Sequence, residues 1–432
     1  MRTLIKNIDI LTMDDNQTRY ENACILIEDD EIRFVGNLSD LQADIQYDKI
    51  EDGEGKLALP GLINTHTHVA MTLFRGYAND LPLMEWLSQK IWPVEDRLSE
   101  GDAYWLSLLA MAEMIRGGVT TFADMYMFME ETALAVEQSG MRGVLARGLQ
   151  GPDEKSGLRL EENRRLWQNW QGRGNGRIRV MVGPHAIYTC QPSFLLESKE
   201  LAQELEVGIH IHLSETGKEV EDSKKKYGKS PVRHLYDLGL LDGHVLAAHC
   251  VHLSEEDMDI LEEKDVKVAH CPASNLKLGS GIAPIADMIK RGITVSLGTD
   301  GAASNNNLSI MKEMSLAGLI SKGIKEEPTL IPAITSLQMA TYNGAKALAL
   351  EDSVGSLAPG KKADIILINT QQPHYYPHTD WANHLVYSGY SSDIDSVWVN
   401  GKKLMDNREL LTIDLDKVYF EVNKIYKRIM EE

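Results

Sequence analysis

The chain has 432 residues, 43% of them apolar and 25% charged, enough to bury a sizeable core in one large domain with a smaller one beside it. Its formal net charge of −20, from 44 basic and 64 acidic residues, repels phosphate backbones, so nucleic acid is not expected as a partner. No stretch approaches the roughly 20 apolar residues of a membrane helix, and Lys6 and Asp9 break the N-terminal run before a signal core can form, so a cytoplasmic protein is expected.

Residues 1–60 contain the strand candidates TLIKNIDIL and ACILIEDDEIRFVG, broken by acidic turns. Eight short apolar runs follow, at 62–68, 119–125, 143–149, 179–185, 207–215, 244–250, 266–272 and 294–300, with helical patterns in most intervals. The clearest helix is SEGDAYWLSLLAMAEMIRGG, with Ser99 as its cap, Asp102 in its first turn and Gly117 closing it. Its apolar face is expected to be Trp105, Leu108, Leu109, Ala112 and Ile115. Segments 70–99 and 213–233 read as weakly structured, suited to lids over a barrel mouth.

After about residue 350 strand patterns return in GSLAPGKKADIILIN and DSVWVNGKKL, the second with an Asn-Gly turn at 400–401. The tail predicts an amphipathic helix with Leu415, Val418, Val422, Ile425 and Ile429 on one face. Eight strands alternating with helices predict a (β/α)8 TIM barrel over 61–350. The segments 1–60 and 351–432 are expected to pair into one small β-sandwich. The cysteines Cys24, Cys190, Cys250 and Cys271 form no C-x-x-C and read as buried reduced thiols.

Ionisable residues occur at or near the ends of most of the eight runs: His68, Asp124, Arg147, His185, Glu215, His249 and Asp300. A packed barrel interior has no use for so many charges, whereas the C-terminal ends of barrel strands build active sites. In GLINTHTHVAMT, strand alternation puts His66 and His68 on one side, where two imidazoles can grip one ion. With His212 and Asp300 they make a three-nitrogen, one-oxygen shell suited to one divalent ion per chain, zinc first, with iron(II) accepting the same ligands. A bound water would complete that shell. His210 and His270 are set aside, the first as packed deeper in the barrel, the second because HCPASN reads as a structural turn.

The stretches PGLINTHTH, HIHLSET, AHC, HCPASN and GTDGAASNNN, in this order, resemble the metal-dependent amidohydrolase superfamily along essentially the whole chain. The dinuclear branch of that superfamily carries a carbamylated lysine on the fourth strand. IRVMVGPHAIYTC has no lysine, which favours the mononuclear, deaminase-like branch. TLFRGYANDLPLMEWL, WPVEDRL, ARGLQ and GPHAIYTC look like the 5-methylthioadenosine/S-adenosylhomocysteine deaminases.

That resemblance implies hydrolytic loss of ammonia from the adenine of a small nucleoside, with a metal-bound hydroxide attacking C6. Glu215 would pass protons to N1 and the leaving amine, His249 would orient the nucleophile, and Asp300 would accept its proton. Glu95 would bind the ribose hydroxyls, His185 the nucleoside, and Arg147 and Arg159 a homocysteine carboxylate. Arg159 is expected in a loop. Trp86 would wall the base or thioether, or else belong to a lid helix packing its own face; Ser304 is a further candidate.

Other readings keep the mechanism on adenosine, 5′-deoxyadenosine, guanine or another aminopurine, or turn the scaffold to amide or chloride hydrolysis. A homo-oligomer is compatible with all of them, and no membrane partner is expected.

Overall fold

The computed structural model describes residues 1–14, 16–42 and 45–431, so only Glu432 of the expected tail helix lies outside the described residues. The N-terminal segment forms β1 (Arg2–Leu11), β2 (Arg19–Glu28), β3 (Glu31–Gly36), β4 (Lys49–Asp52) and β5 (Lys56–Pro60). The eight expected central strands follow as β6 (Leu62–Thr67), β7 (Val119–Tyr126), β8 (Arg142–Leu149), β9 (Ile178–Pro184), β10 (Ile209–Leu213), β11 (Val245–His249), β12 (Lys267–His270) and β13 (Val295–Leu297). The C-terminal segment adds β14 (Ile365–Asn369), β15 (Ile394–Val399), β16 (Lys402–Asp406) and β17 (Glu409–Leu410).

Strands β6 to β13 pair in chain order, each parallel to the next. Helices cover their outer faces, so both faces are buried and the strands read as near-continuous apolar runs; every residue of β7 is buried. The ring closes where β13 meets β6. The Thr65 hydroxyl donates to the Leu297 carbonyl at 2.9 Å, and the Asp300 amide donates to the His66 carbonyl at 3.0 Å. Inside, Ile63, Val144, Met181 and Leu246 meet Ala345, Leu348 and Val354 in one apolar layer. That plug leaves the opposite, C-terminal end of the barrel for polar groups. No described helix is long and apolar enough to cross a membrane.

Both chain ends enter one sheet, in the order β17-β16-β15-β14-β5-β1-β2-β3, with β4 beside β1. Its β3 edge turns back onto the segment before β14: the Ile32 amide donates to the Lys361 carbonyl, and the Ala363 amide to the Asp30 carbonyl, at 2.8 and 2.9 Å. Ile5, Ile25, Ile27, Ala58, Ile365 and Trp398 fill the core enclosed between the layers. The expected β-sandwich is therefore present, built from both ends of the chain. The Asn-Gly turn joins β15 to β16 with φ of 48° at Asn400 and 69° at Gly401, the left-handed pair a two-residue type I′ hairpin requires.

Three expectations are corrected. The first barrel helix is Asp102–Arg116 with Gly101 at its N-cap, not Ser99. The acceptor there is the Asp102 carboxylate, which takes bonds from the amide and hydroxyl of Ser99 at 2.7 and 3.0 Å. Leu108, Ala112 and Ile115 are buried on that helix as expected, whereas Trp105 and Leu109 are only half-buried.

Segment 213–233 is not weakly structured. Helices Gly217–Tyr227 and Pro231–Asp237 start at Thr216 and Ser230, whose side chains accept from the Glu219 and Arg233 amides. The sequences TGKE and SPVR carry these capping signals. Segment 70–99 holds short helical turns at Val69–Phe74, Leu83–Trp86, Leu87–Ile91 and Trp92–Glu95.

The tail helix, Leu415–Met430, buries Val418, Ile425 and Ile429 and packs on the barrel helix Asp102–Arg116. Arg428 pairs there with Asp102. A buried ion pair also joins sheet to barrel: Arg142 of β8 donates from Nε and Nη2 to Asp364 at 3.1 and 3.0 Å, and the Asn400 amide donates to the same carboxylate at 2.8 Å. Replacing Arg142 with Ala strands that carboxylate in the interior. The expected cost is about 3–5 kcal/mol, read as a lowered urea midpoint.

Candidate active site

His66 is the fifth residue of β6, and His68 follows the strand directly. Their Nε2 atoms stand 3.6 and 3.1 Å from Asp300 Oδ1. His212, on β10, brings its Nε2 to 3.3 Å from that of His68. Two sets of possible ligand atoms, one on His66, His68 and Asp300 and one on His66, His212 and His249, each lie within 4.8 Å of one another. The four expected ligands thus converge, and His249 joins them.

Each imidazole is turned by a bond at its other nitrogen. His66 Nδ1 shares a 2.8 Å bond with His210 Nε2, His68 Nδ1 donates to the Met125 carbonyl at 2.5 Å, and His212 Nδ1 donates to the His185 carbonyl at 2.8 Å. These bonds leave the three Nε2 atoms facing the centre. His66 Nε2 is buried with no hydrogen-bond partner. Such an orphan costs about 1–3 kcal/mol unless something fills it. Burial pushes the His66 pKa down to about 4 and that of His212 well below the usual value, so both are neutral imidazoles at pH 7, the ligating form. Burial lowers the pKa of His68, but its bond to Asp300 outweighs that and raises it to about 9, so this imidazole carries a proton that a bound cation would displace. Three imidazole nitrogens and one carboxylate oxygen fit a borderline divalent cation.

Asp300 lies three residues past β13 with φ of 61°. Ser274 and Ser304 donate to its Oδ2 at 2.6 and 2.7 Å, and the Gly301 amide donates to Oδ1 at 2.8 Å. Burial pushes its pKa up, but the facing imidazoles of His66 and His68 outweigh that and hold it well below the usual carboxylate range.

His249 ends β11 with φ of 74°, and its Nδ1 donates to Asn275 Oδ1 at 2.8 Å, aiming Nε2 at Glu215 Oε2, 3.9 Å away. Glu215 is buried two residues past β10 and accepts from the Ser280 hydroxyl at 3.2 Å; burial raises its pKa. Glu219 holds the backbone beneath it, accepting from the amides of Ser214 and Glu215 at 3.1 and 2.8 Å.

One glycine makes room for the centre. A Cβ on Gly298 would lie 2.8 Å from His66 Cβ and 3.0 Å from Cys271 Sγ. Gly298→Ala should therefore displace His66, costing about 1–3 kcal/mol in stability. Metal affinity should fall about 10–100-fold, as measured by competition with a chelator.

A cavity of about 840 Å³ opens over this centre. Trp86, Glu95, Arg147, Arg159, His185 and Ser304 all line it, together with His68, His212, Glu215, His249 and Asp300. Glu95 accepts from the Tyr126 hydroxyl at 2.5 Å, and burial raises its pKa. Trp86 donates from Nε1 to the Ala78 carbonyl at 3.2 Å, so it serves both the helical segment and the cavity wall. His185 bonds Thr189 Oγ1 at 2.8 Å through Nδ1.

Arg159 is not in a loop but in the helix Ser156–Trp170. The stretch SGLRLEENRRLWQNW is helical with only a shallow apolar stripe, which is why its pattern was weak.

Glu219, Ser274, Asn275 and Ser280 also belong to the site, with no signal in the sequence to mark them for it. HCPASN, taken for a structural turn, is a site element whose helix Pro272–Lys277 presents Ser274 and Asn275 to Asp300 and His249. His210 does pack deeper, as expected, but as the partner that turns His66.

The Amidohydrolase family model matches residues 57–404. A 5-methylthioadenosine/S-adenosylhomocysteine deaminase from Thermoanaerobacter pseudethanolicus is 50% identical over 433 residues, covering 100% of both chains. One from Moorella thermoacetica is 52% identical over 400 residues, covering 93% of this chain and 94% of its own. Among solved structures, an adenosine deaminase from Xanthomonas campestris with bound zinc has a TM-score of 0.95 at 31% identity, covering 100% of this chain and 99% of its own. A zinc complex of atrazine chlorohydrolase from Arthrobacter aurescens TC1 has a TM-score of 0.91 at 26% identity, covering 98% of this chain and 100% of its own. The chain belongs to the amidohydrolase family, and full-length relatives at about half identity are 5-methylthioadenosine/S-adenosylhomocysteine deaminases.

Proposed function

We propose that the protein is a hydrolytic deaminase that converts the adenine of 5′-modified adenosines, 5′-methylthioadenosine and S-adenosylhomocysteine among them, to hypoxanthine with release of ammonia. The observation that carries this reading is the placement of buried Glu215 beside His249 and Asp300 at the floor of a nucleoside-sized cavity. The names of the full-length relatives supply the substrate class.

His66, His68, His212 and Asp300 would hold one divalent ion, zinc in the first instance, which when bound supplies an activated water at neutral pH. The protein's own groups do the rest. Glu215, whose raised pKa suits a proton carrier, gives a proton to purine N1 and later carries one to the departing amine. His249 Nε2 accepts a bond from the attacking water and fixes its direction, the ring being locked by Asn275. Asp300 Oδ1 is the local base for the water's proton.

Over this centre, Glu95 accepts from the ribose hydroxyls, His185 and Trp86 bracket the nucleoside, and Arg147 and Arg159 face the 5′ substituent. Glu95→Gln should lower kcat/KM about 10–100-fold on ribonucleosides, the worth of charge-assisted hydrogen bonds. It should cost much less on a 2′,3′-dideoxy analogue; equal losses on both would remove Glu95 from ribose recognition.

The direct test is an ammonia-release screen across 5′-methylthioadenosine, S-adenosylhomocysteine, 5′-deoxyadenosine, adenosine, guanine and a chlorinated triazine. The first two should be turned over well. Preference for guanine or the triazine over every adenosine would overturn the reading.

A further inference from the structure

Both arginines expected to hold a carboxylate already carry one from the protein. Arg147 donates from Nε to Glu162 Oε2 at 2.7 Å and from Nη1 to the Gly148 carbonyl at 2.6 Å. Arg159 donates from Nη1 to the Gln150 carbonyl and to Asp153, each at 2.7 Å. Glu162 lies three residues after Arg159 on the helix Ser156–Trp170, so the two share a face, with Arg147 coming from β8. All three line the cavity.

A wall made to take a bare anion would not set a carboxylate against its best-buried arginine, because like charge on the ligand would be repelled. A cation–anion pair in contact instead mirrors a ligand that carries both charges on one carbon. We propose that Glu162 is a specificity residue that receives the ammonium of an α-amino acid at the 5′ end of the substrate, while Arg147 and Arg159 take the carboxylate of the same group. This rests on the deaminase reading above and adds to it the residue that reads the ammonium of the amino acid tail.

The geometry uses groups left open by the protein's own bonds. Arg147 keeps Nη2 and Glu162 keeps Oε1, since neither atom makes a hydrogen bond among the described residues. A zwitterion bound across them closes a ring of alternating charges, whereas a ligand with the carboxylate alone leaves Glu162 facing it.

The test compares S-adenosylhomocysteine with its analogue in which hydrogen replaces the α-ammonium. Binding is measured by calorimetry in metal-loaded Glu215→Gln protein, so that it does not depend on turnover. S-adenosylhomocysteine should bind about tenfold or more tightly than the analogue. Adding Glu162→Gln, which keeps the shape and removes the charge, should bring the two within about twofold.

Equal affinities before the change would overturn the proposal. So would a ratio that survives Glu162→Gln, including the case in which both ligands weaken together, because Glu162 would then only position Arg147. Turnover of 5′-methylthioadenosine by the unmodified protein reports on the deaminase reading separately.

Discussion

Glu215→Gln is expected to lower kcat on 5′-methylthioadenosine by about 10³-fold, within the range for loss of a positioned acid–base group, while the metal content per chain stays unchanged. Gln is the same size and can keep the bond from Ser280, so the pocket should hold its shape. What it loses is the proton. The carboxyl lies 3.9 Å from His249 and ends a segment fixed from below by Glu219. KM should change little, because the loss falls on the transition state. An unchanged kcat would remove Glu215 from proton transfer. Loss of the metal together with activity would instead make it part of the ion's support.

Asp300→Ala should be worse, with kcat/KM down by on the order of 10⁴-fold and metal content falling towards zero, because activated water and its base are lost together. The substitution takes away the one carboxylate in the ligand set, leaves the Ser274 hydroxyl without its acceptor and leaves Ser304 only the Gly301 carbonyl. Elemental analysis after dialysis separates the two consequences. A variant that keeps its ion and loses only rate would mean that the histidines suffice to bind.

Much of this site was legible because its residues sit at repeated places. The ends of eight regular strands are a predictable address, and histidines or carboxylates there stand out against apolar runs. The sandwich was also visible, since the strand patterns at the two ends and the Asn-Gly turn are local signals. The supporting groups were hidden for a different reason. Ser274, Asn275 and Ser280 are ordinary polar residues in sequence, and only the fold carries them to Asp300, His249 and Glu215.

His210 repeats the His-x-His pattern of β6 yet faces the back of His66, a distinction that strand alternation alone does not make. Arg159 was misplaced because its helix, Ser156–Trp170, has a weak apolar stripe and no capping side chain, and the 213–233 segment because its two helices are short and show themselves mainly through their caps. Glu219 illustrates the point: the T-x-x-E signature announced a helix start, but not that its carboxylate would steady the segment bearing Glu215.

Metal content and ammonia release measured in one preparation, before and after chelation, test whether a single ion serves hydrolysis of an adenine amine. About one zinc or iron per chain is expected, with ammonia formed from 5′-methylthioadenosine and S-adenosylhomocysteine, lost on chelation and restored by the same metal. Two ions per chain, or undiminished ammonia release from the stripped protein, would contradict it.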